Sequence, residues 1–198
     1  MRSIDTLAAT GGQWLNPPAE YALNAQALRL TTDAETDFWQ QTYYGFRHHS
    51  GHAFGFYVNG DFTVQVKVTA AFSHLYDQAG ILLLEDETHW VKAGIEYNDA
   101  KPAIGSVLTR HTSDWSTGLF PGDPGRFWMR ATLVDDALRL QYSTDGTTWP
   151  LLRLCPWPSG RRYFVGVMAC TPQRAGLEVT FTHFYLGAPL NKPLHDLS

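Results

Sequence analysis

The sequence is poor in charge and nearly free of cysteine. Only 17% of its 198 residues are Asp, Glu, Lys or Arg, the formal net charge is −4, and no cationic run exceeds the pair Arg161-Arg162. Such a balance offers no electrostatic footprint for a phosphate backbone or an anionic lipid surface, so neither nucleic acid nor a membrane is an expected partner. No stretch approaches the ~18 consecutive apolar residues of a membrane span. The opening Met1-Arg2-Ser3-Ile4-Asp5 leads into no apolar segment of signal-peptide kind, and the expectation is a cytoplasmic protein. The two cysteines, Cys155 and Cys170, lack metal-ligand spacing and read as reduced, structural thiols.

Helical periodicity is also missing. No convincing segment keeps apolar residues at i, i+3, i+4 and i+7, whereas period-two alternation recurs throughout. In Phe62-Thr63-Val64-Gln65-Val66-Lys67-Val68 the even positions are apolar and the odd ones polar, as a strand with one buried face requires. Similar runs cover 79–85, 90–97, 104–110, 127–134, 137–143, 163–170 and 177–186, and Ala27 to Thr31 adds a shorter one. Between them lie turn formers such as Asn59-Gly60-Asp61, Pro121 to Gly125, Asp135-Asp136, Asp145-Gly146 and Pro172 to Gly176. Many short strands at this spacing define an all-β sandwich or barrel.

What the chain has in abundance is aromatics: seven Trp, nine Tyr and eleven Phe. These suit strands and a large core, and at this length roughly 70% of the unfolded surface is buried on folding. No repeat, low-complexity segment or linker divides the chain, so one domain spanning 1–198 is expected.

The segment 78–97 carries the functional expectation. Glu85 to His89 is a polar break, so Ile81 to Leu84 should pair antiparallel with the strand that follows. Alternation puts Trp90, Lys92, Gly94 and Glu96 on one face and Val91, Ala93, Ile95 and Tyr97 on the core side. A turn centred near Glu87 sets Leu84 opposite Trp90, Leu82 opposite Lys92, Gly80 opposite Gly94 and Gln78 opposite Glu96. Two facing glycines then form a shallow floor flanked by carboxylate, amide, ammonium and indole. That mixture suits a sugar, whose hydroxyls need planar polar groups and whose C–H faces stack on aromatics. The same spacing also fits a solvated Lys–Glu surface pair worth under ~1 kcal/mol.

Several segments together resemble a family of uncharacterised bacterial and fungal domains with the concanavalin A-like lectin/glucanase fold. They are Tyr76-Asp77-Gln78-Ala79-Gly80-Ile81-Leu82-Leu83, Thr88-His89-Trp90-Val91-Lys92-Ala93-Gly94-Ile95-Glu96-Tyr97 and Ser113-Asp114-Trp115-Ser116, followed by Trp128-Met129-Arg130, Tyr142 to Trp149 and Val165 to Pro172. The resemblance implies a two-sheet antiparallel jelly-roll sandwich with a groove on its concave sheet. It implies no reaction, and some fungal members are named regulators of enolase, which implies a possible protein partner.

Retaining glucanases of this fold set two carboxylates ~5 Å apart in an E-x-D-x-x-E pattern. Glu85-Asp86-Glu87 does not fit it, and Glu96 faces an amide. Lys92, four residues along the same face, would if close enough favour the ionised form of Glu96 and so oppose the raised pKa of a general acid. No catalytic residue is therefore assigned. His48, His49 and His52 have no Cys or carboxylate at ligand spacing and read as a solvated loop, so neither a metal nor any other cofactor is assigned. Ser113 to Ser116 is expected on a loop at the groove rim, where Asp114 and Trp115 either cap a bound ring or merely close the sandwich edge. Tyr142 to Trp149 is expected to be a structural hairpin, with Asp145-Gly146 in the turn and Trp149 packed beneath it. The candidate ligand residues are thus Gln78, Trp90, Lys92, Glu96, Asp114 and Trp115, for a carbohydrate or other small polar ligand.

Overall fold

A computed structural model describes residues 3–198, and among these the regular structure is entirely β, with strands numbered here in chain order. One seven-stranded antiparallel sheet runs β1 (Gln13–Leu15), β6 (His52–Asn59), β15 (Arg162–Cys170), β8 (Gln78–Asp86), β9 (His89–Asn98), β10 (Lys101–Arg110), β11 (Thr112–Leu119). The other runs β14 (Leu151–Pro156), β13 (Ala137–Ser143), β12 (Arg126–Val134), β7 (Phe62–Ala70), β16 (Glu178–Gly187), β3 (Ala27–Thr31), β2 (Glu20–Leu23). A short hairpin of β4 (Phe38–Gln40) and β5 (Arg47–His49) stands apart from both.

The two large sheets form the jelly-roll sandwich, and alternation decides which side chains meet between them. Val64, Val66 and Val68 of β7 and Phe127, Met129 and Ala131 of β12 share one apolar cluster with Ile81 and Leu83 of β8 and Val91, Ala93 and Ile95 of β9. All are essentially sealed from solvent. The expected hairpin registers hold: Leu84, Leu82, Gly80 and Gln78 lie opposite Trp90, Lys92, Gly94 and Glu96. Val134 pairs with Ala137 across Asp135-Asp136, both at positive φ, as a tight two-residue hairpin turn of β12 and β13 requires. The Tyr142–Trp149 segment is also structural. Asp145 Oδ1 accepts from Ser143 Oγ, Thr147 N and Thr148 N, Gly146 takes φ +80°, and Trp149 is buried with the Arg130 guanidinium 3.7 Å from its ring centre.

Two placements differ from expectation. Thr112–Leu119 is strand β11, paired along its length with β10, where a rim loop was expected. Its sequence is small, polar and without apolar alternation because most of it lies at the exposed edge of its sheet. His48 and His49 belong to β5 and His52 opens β6, not a solvated loop. His52 is buried: Nδ1 lies 2.7 Å from the Asn16 carbonyl and Nε2 accepts from Asp33 N at 3.0 Å. Among the described residues no cluster of three or more His, Cys, Asp or Glu has the geometry to hold a metal ion.

Candidate functional site

The outer face of the first sheet, turned away from the second, is not open. Residues 38–49 fold across it as an aromatic strap, and a second apolar cluster lies between strap and sheet: Phe38 and Trp39 from the strap against Leu82, Leu84, Trp90, Val107, Phe164 and Met168. The strap is tethered by Gln40, whose N–H donates to Ser113 Oγ and whose Nε2 donates to the Glu87 carbonyl. Asn16 Nδ2 donates to the carbonyls of His49 and Gly51 from the other side.

Trp90 belongs to this second cluster. It is 0% exposed, donates from Nε1 to the Glu87 carbonyl at 3.1 Å, and is not part of the cavity lined by its neighbour Lys92. The expectation that it presents an indole to ligand is corrected: its strand face is the predicted one, but the strap covers it. Asp114 is displaced for a different reason. Strand alternation turns it from Trp115, and its carboxylate pairs with Arg153 at 2.9 Å, outside the cavity.

Where the strap ends, a cavity of ≈ 430 Å³ opens. Gln78, Lys92 and Glu96 form its sheet side, Trp115 flanks them, and Asp37, Trp39, Tyr44, Phe46 and Tyr76 complete it. Four of the six expected residues are therefore brought together. The indoles of Trp39 and Trp115 meet edge to face at 6.3 Å, and Tyr44 stacks on Phe46 at 5.2 Å. Trp39 Nε1 is fixed to the Thr42 carbonyl, and the Tyr44 and Tyr76 hydroxyls share a 2.8 Å hydrogen bond that joins the strap to the loop before β8.

That loop is held by Asp77, which is completely buried. Its carboxylate takes both Nε and Nη2 of Arg174 and the backbone N–H groups of Ser73 and His74. Burial alone would raise its pKa, but these donors hold it below the ordinary carboxylate value. Tyr76 N and Tyr97 N close the loop onto β9 through the carbonyls of Tyr97 and Asp77. Tyr76 and Gln78 thus enter the cavity from a rigid support.

Asp37 was not recognised in the sequence, and it organises the floor. Its backbone carbonyl accepts from Ser50 N and Gly51 N. Its Oδ1 accepts from Phe38 N at 2.8 Å, Gln78 Nε2 at 3.3 Å and Lys92 Nζ at 2.7 Å. Lys92 is only 3% exposed, so it is a buried ion-pair partner and not the solvated surface cation its spacing also allowed. Burial disfavours its charge, but Asp37 outweighs this and its pKa lies above the ordinary value. The one available signal for Asp37 was its place beside Phe38 and Trp39, at the start of a stretch that packs five aromatics into nine residues without alternating.

With Lys92 engaged by Asp37, Glu96 behaves differently from expectation. Burial pushes its pKa up to about 7; Lys92 opposes the shift and Asp37 reinforces it. Lys92 does favour the ionised form of Glu96, as its place on the same face implies, but burial outweighs it, and the sequence did not reveal that burial. Gln78 does not donate to Glu96 either. Its Nε2 points to two acceptors, Asp37 Oδ1 and the Tyr76 carbonyl, leaving its buried Oε1 with no partner.

Two packed seven-stranded antiparallel sheets define the jelly-roll sandwich class, and comparison with known proteins agrees in fold. The chain belongs to the family described as a protein of unknown function, DUF1349, which matches residues 14–189. It is 50% identical over 187 residues to Regulation of enolase protein 1 of Saccharomyces cerevisiae, covering 94% of each chain. A crystal structure of a functionally unknown protein from Saccharomyces cerevisiae superposes with a TM-score of 0.90 at 47% identity, over 94% of this chain and all of that one. The GH43 protein BlXynB of Bacillus licheniformis matches at TM-score 0.70 and 16% identity, over 93% of this chain but 39% of its own, a likeness of fold alone.

Proposed function

We propose that the chain is a non-catalytic binding domain that takes a carbohydrate or other small polar ligand in the Asp37–Gln78–Lys92–Glu96 cavity. The observation that carries this reading is a polar floor with unused hydrogen-bonding capacity, the buried Gln78 Oε1 and the half-buried Glu96 carboxyl, beneath Trp39, Tyr44, Phe46 and Trp115. An unpaired buried acceptor costs ~1–3 kcal/mol, and a ligand donor reaching Gln78 Oε1 would recover it. Aromatic walls around a few convergent polar groups are what a small polar ligand needs.

A second reading is a regulatory domain acting on a metabolic enzyme, supported by the name of the yeast relative. The exposed side chains at the tip of the strap, Tyr43 at 94% and Phe46 beside it, offer a protein partner an apolar handle. The two readings separate experimentally. A glycan array and a pull-down with purified enolase should give an array signal if the first holds, and enolase capture without array signal if the second does. Incubation with β-glucan, xylan and aryl glycosides should give no turnover above background. Turnover abolished by Glu96→Gln would instead make Glu96 the acid of a glycan-active enzyme.

A further inference from the structure

The floor of the cavity leaves two acceptors open, Gln78 Oε1 and the Glu96 carboxyl. Gln78 is 3% exposed and its Oε1 is unpartnered, while its Nε2 is committed to Asp37 and Tyr76, which fixes the amide orientation. Three carboxylates line the cavity, Glu35, Asp37 and Glu96, against the single ammonium of Lys92. That ammonium is taken by Asp37 at 2.7 Å. Around these acceptors stand the rings of Trp39, Tyr44, Phe46, Tyr76 and Trp115, whose π-faces attract cations.

Resting on the reading of this cavity as a ligand site, we propose that its ligand carries a protonated amine, as an amino sugar does, with the ammonium donating to Glu96 and Gln78 Oε1 inside the aromatic enclosure. A primary ammonium brings three donors and no acceptor, which matches the open Gln78 Oε1 and Glu96 carboxyl; a neutral hydroxyl brings one donor and no positive charge to set against the carboxylates. The electrostatics agree. Glu96 faces Lys92 on its own strand, Asp37 from the strap side, Tyr76 from the loop before β8 and Cys170 from β15. Of these only Lys92 is cationic, and its ammonium hydrogen-bonds Asp37, so Glu96 has no counter-ion of its own. An incoming ammonium supplies it and drives off the proton that Glu96 otherwise keeps near neutral pH.

Minimal pairs test this without knowing the natural ligand: n-butylammonium against 1-butanol, and glucosamine against glucose, followed by tryptophan fluorescence and by amide and indole NMR shifts of the intact chain. The aminated member of each pair should bind at least tenfold tighter. The affinity for n-butylammonium should rise about tenfold or more from pH 5.5 to pH 8 as Glu96 loses its proton, with calorimetry showing proton release at the lower pH. In Glu96→Gln both the preference and its pH dependence should disappear. Equal binding of the paired compounds, or an n-butylammonium affinity that does not rise with pH, overturns the inference. If a neutral glycan still binds in a way that Trp115→Ala abolishes, the cavity stands as a ligand site and only the ammonium falls. If neither aminated nor neutral compounds perturb Trp39 or Trp115, both fall.

Discussion

Asp37 Oδ1 accepts three donors at once and supplies the counter-charge of the buried Lys92. Lys92 cannot be removed without leaving Asp37 with an uncompensated charge in a part-buried site. Lys92→Ala should therefore destabilise the fold by ~3–5 kcal/mol, comparable to the ~2–5 kcal/mol expected for the core cavity in Ile95→Ala. Urea denaturation of the two variants checks this, and a loss below ~1 kcal/mol for Lys92→Ala would return it to the surface-pair class. Glu96 makes the opposite kind of prediction. The unfolded chain ionises it near 4.5 and the folded chain near 7, so the fold retains its proton longer. Its contribution to stability is complete below the unfolded value and is lost as pH rises from about 4.5 through 7. From this group the wild type should be ~1–3 kcal/mol less stable at pH 8 than at pH 4.5. Glu96→Gln should lack that slope. Denaturation of both proteins at the two pH values measures the difference, and identical slopes would contradict the assignment.

At the scale of elements, β8, β9 and β10 are drawn together by glycines. Gly80 faces Gly94, and Gly94 faces Gly105 across the next pairing. A methyl group added at Gly94 would overlap the Ala79 carbonyl oxygen and crowd the Gly80 Cα, both backbone atoms that cannot swing away. Gly94→Ala should cost ~1–3 kcal/mol and disturb the spacing of Lys92 and Glu96, lowering Tm as well as ligand affinity. An unchanged Tm would show that the pairing yields more easily than its geometry implies. The strap is the element that the sequence concealed. Strands with one face in the core announce themselves by alternation, which is why β7, β12 and β13 were legible, while β8 and β9 were betrayed by the polar break Glu85 to His89, which also set their register. Phe38, Trp39 and Gln40 are buried at every position, so no alternation survives to mark β4. Edge strand β11 was missed for the converse reason, being exposed at nearly every position.

At the scale of the whole molecule, the sandwich follows from local pattern while the site depends on contacts between distant segments. Asp37 and Lys92 are 55 residues apart, and Tyr44 and Tyr76 are 32 apart. One strand could reveal that Lys92 and Glu96 share a face, but not that a strap from the first fifty residues would bury Trp90 and bring a second acid to the lysine. The most direct test of the account uses two neighbours on β11. Trp115 lines the cavity, whereas Asp114 points away and pairs with Arg153. A glycan array probed with wild-type protein, Trp115→Ala and Asp114→Ala should show a glycan signal for the wild type that Trp115→Ala loses and Asp114→Ala keeps. A wild type that binds nothing, or a signal that survives Trp115→Ala and is lost in Asp114→Ala, would contradict the placement of the ligand site in this cavity.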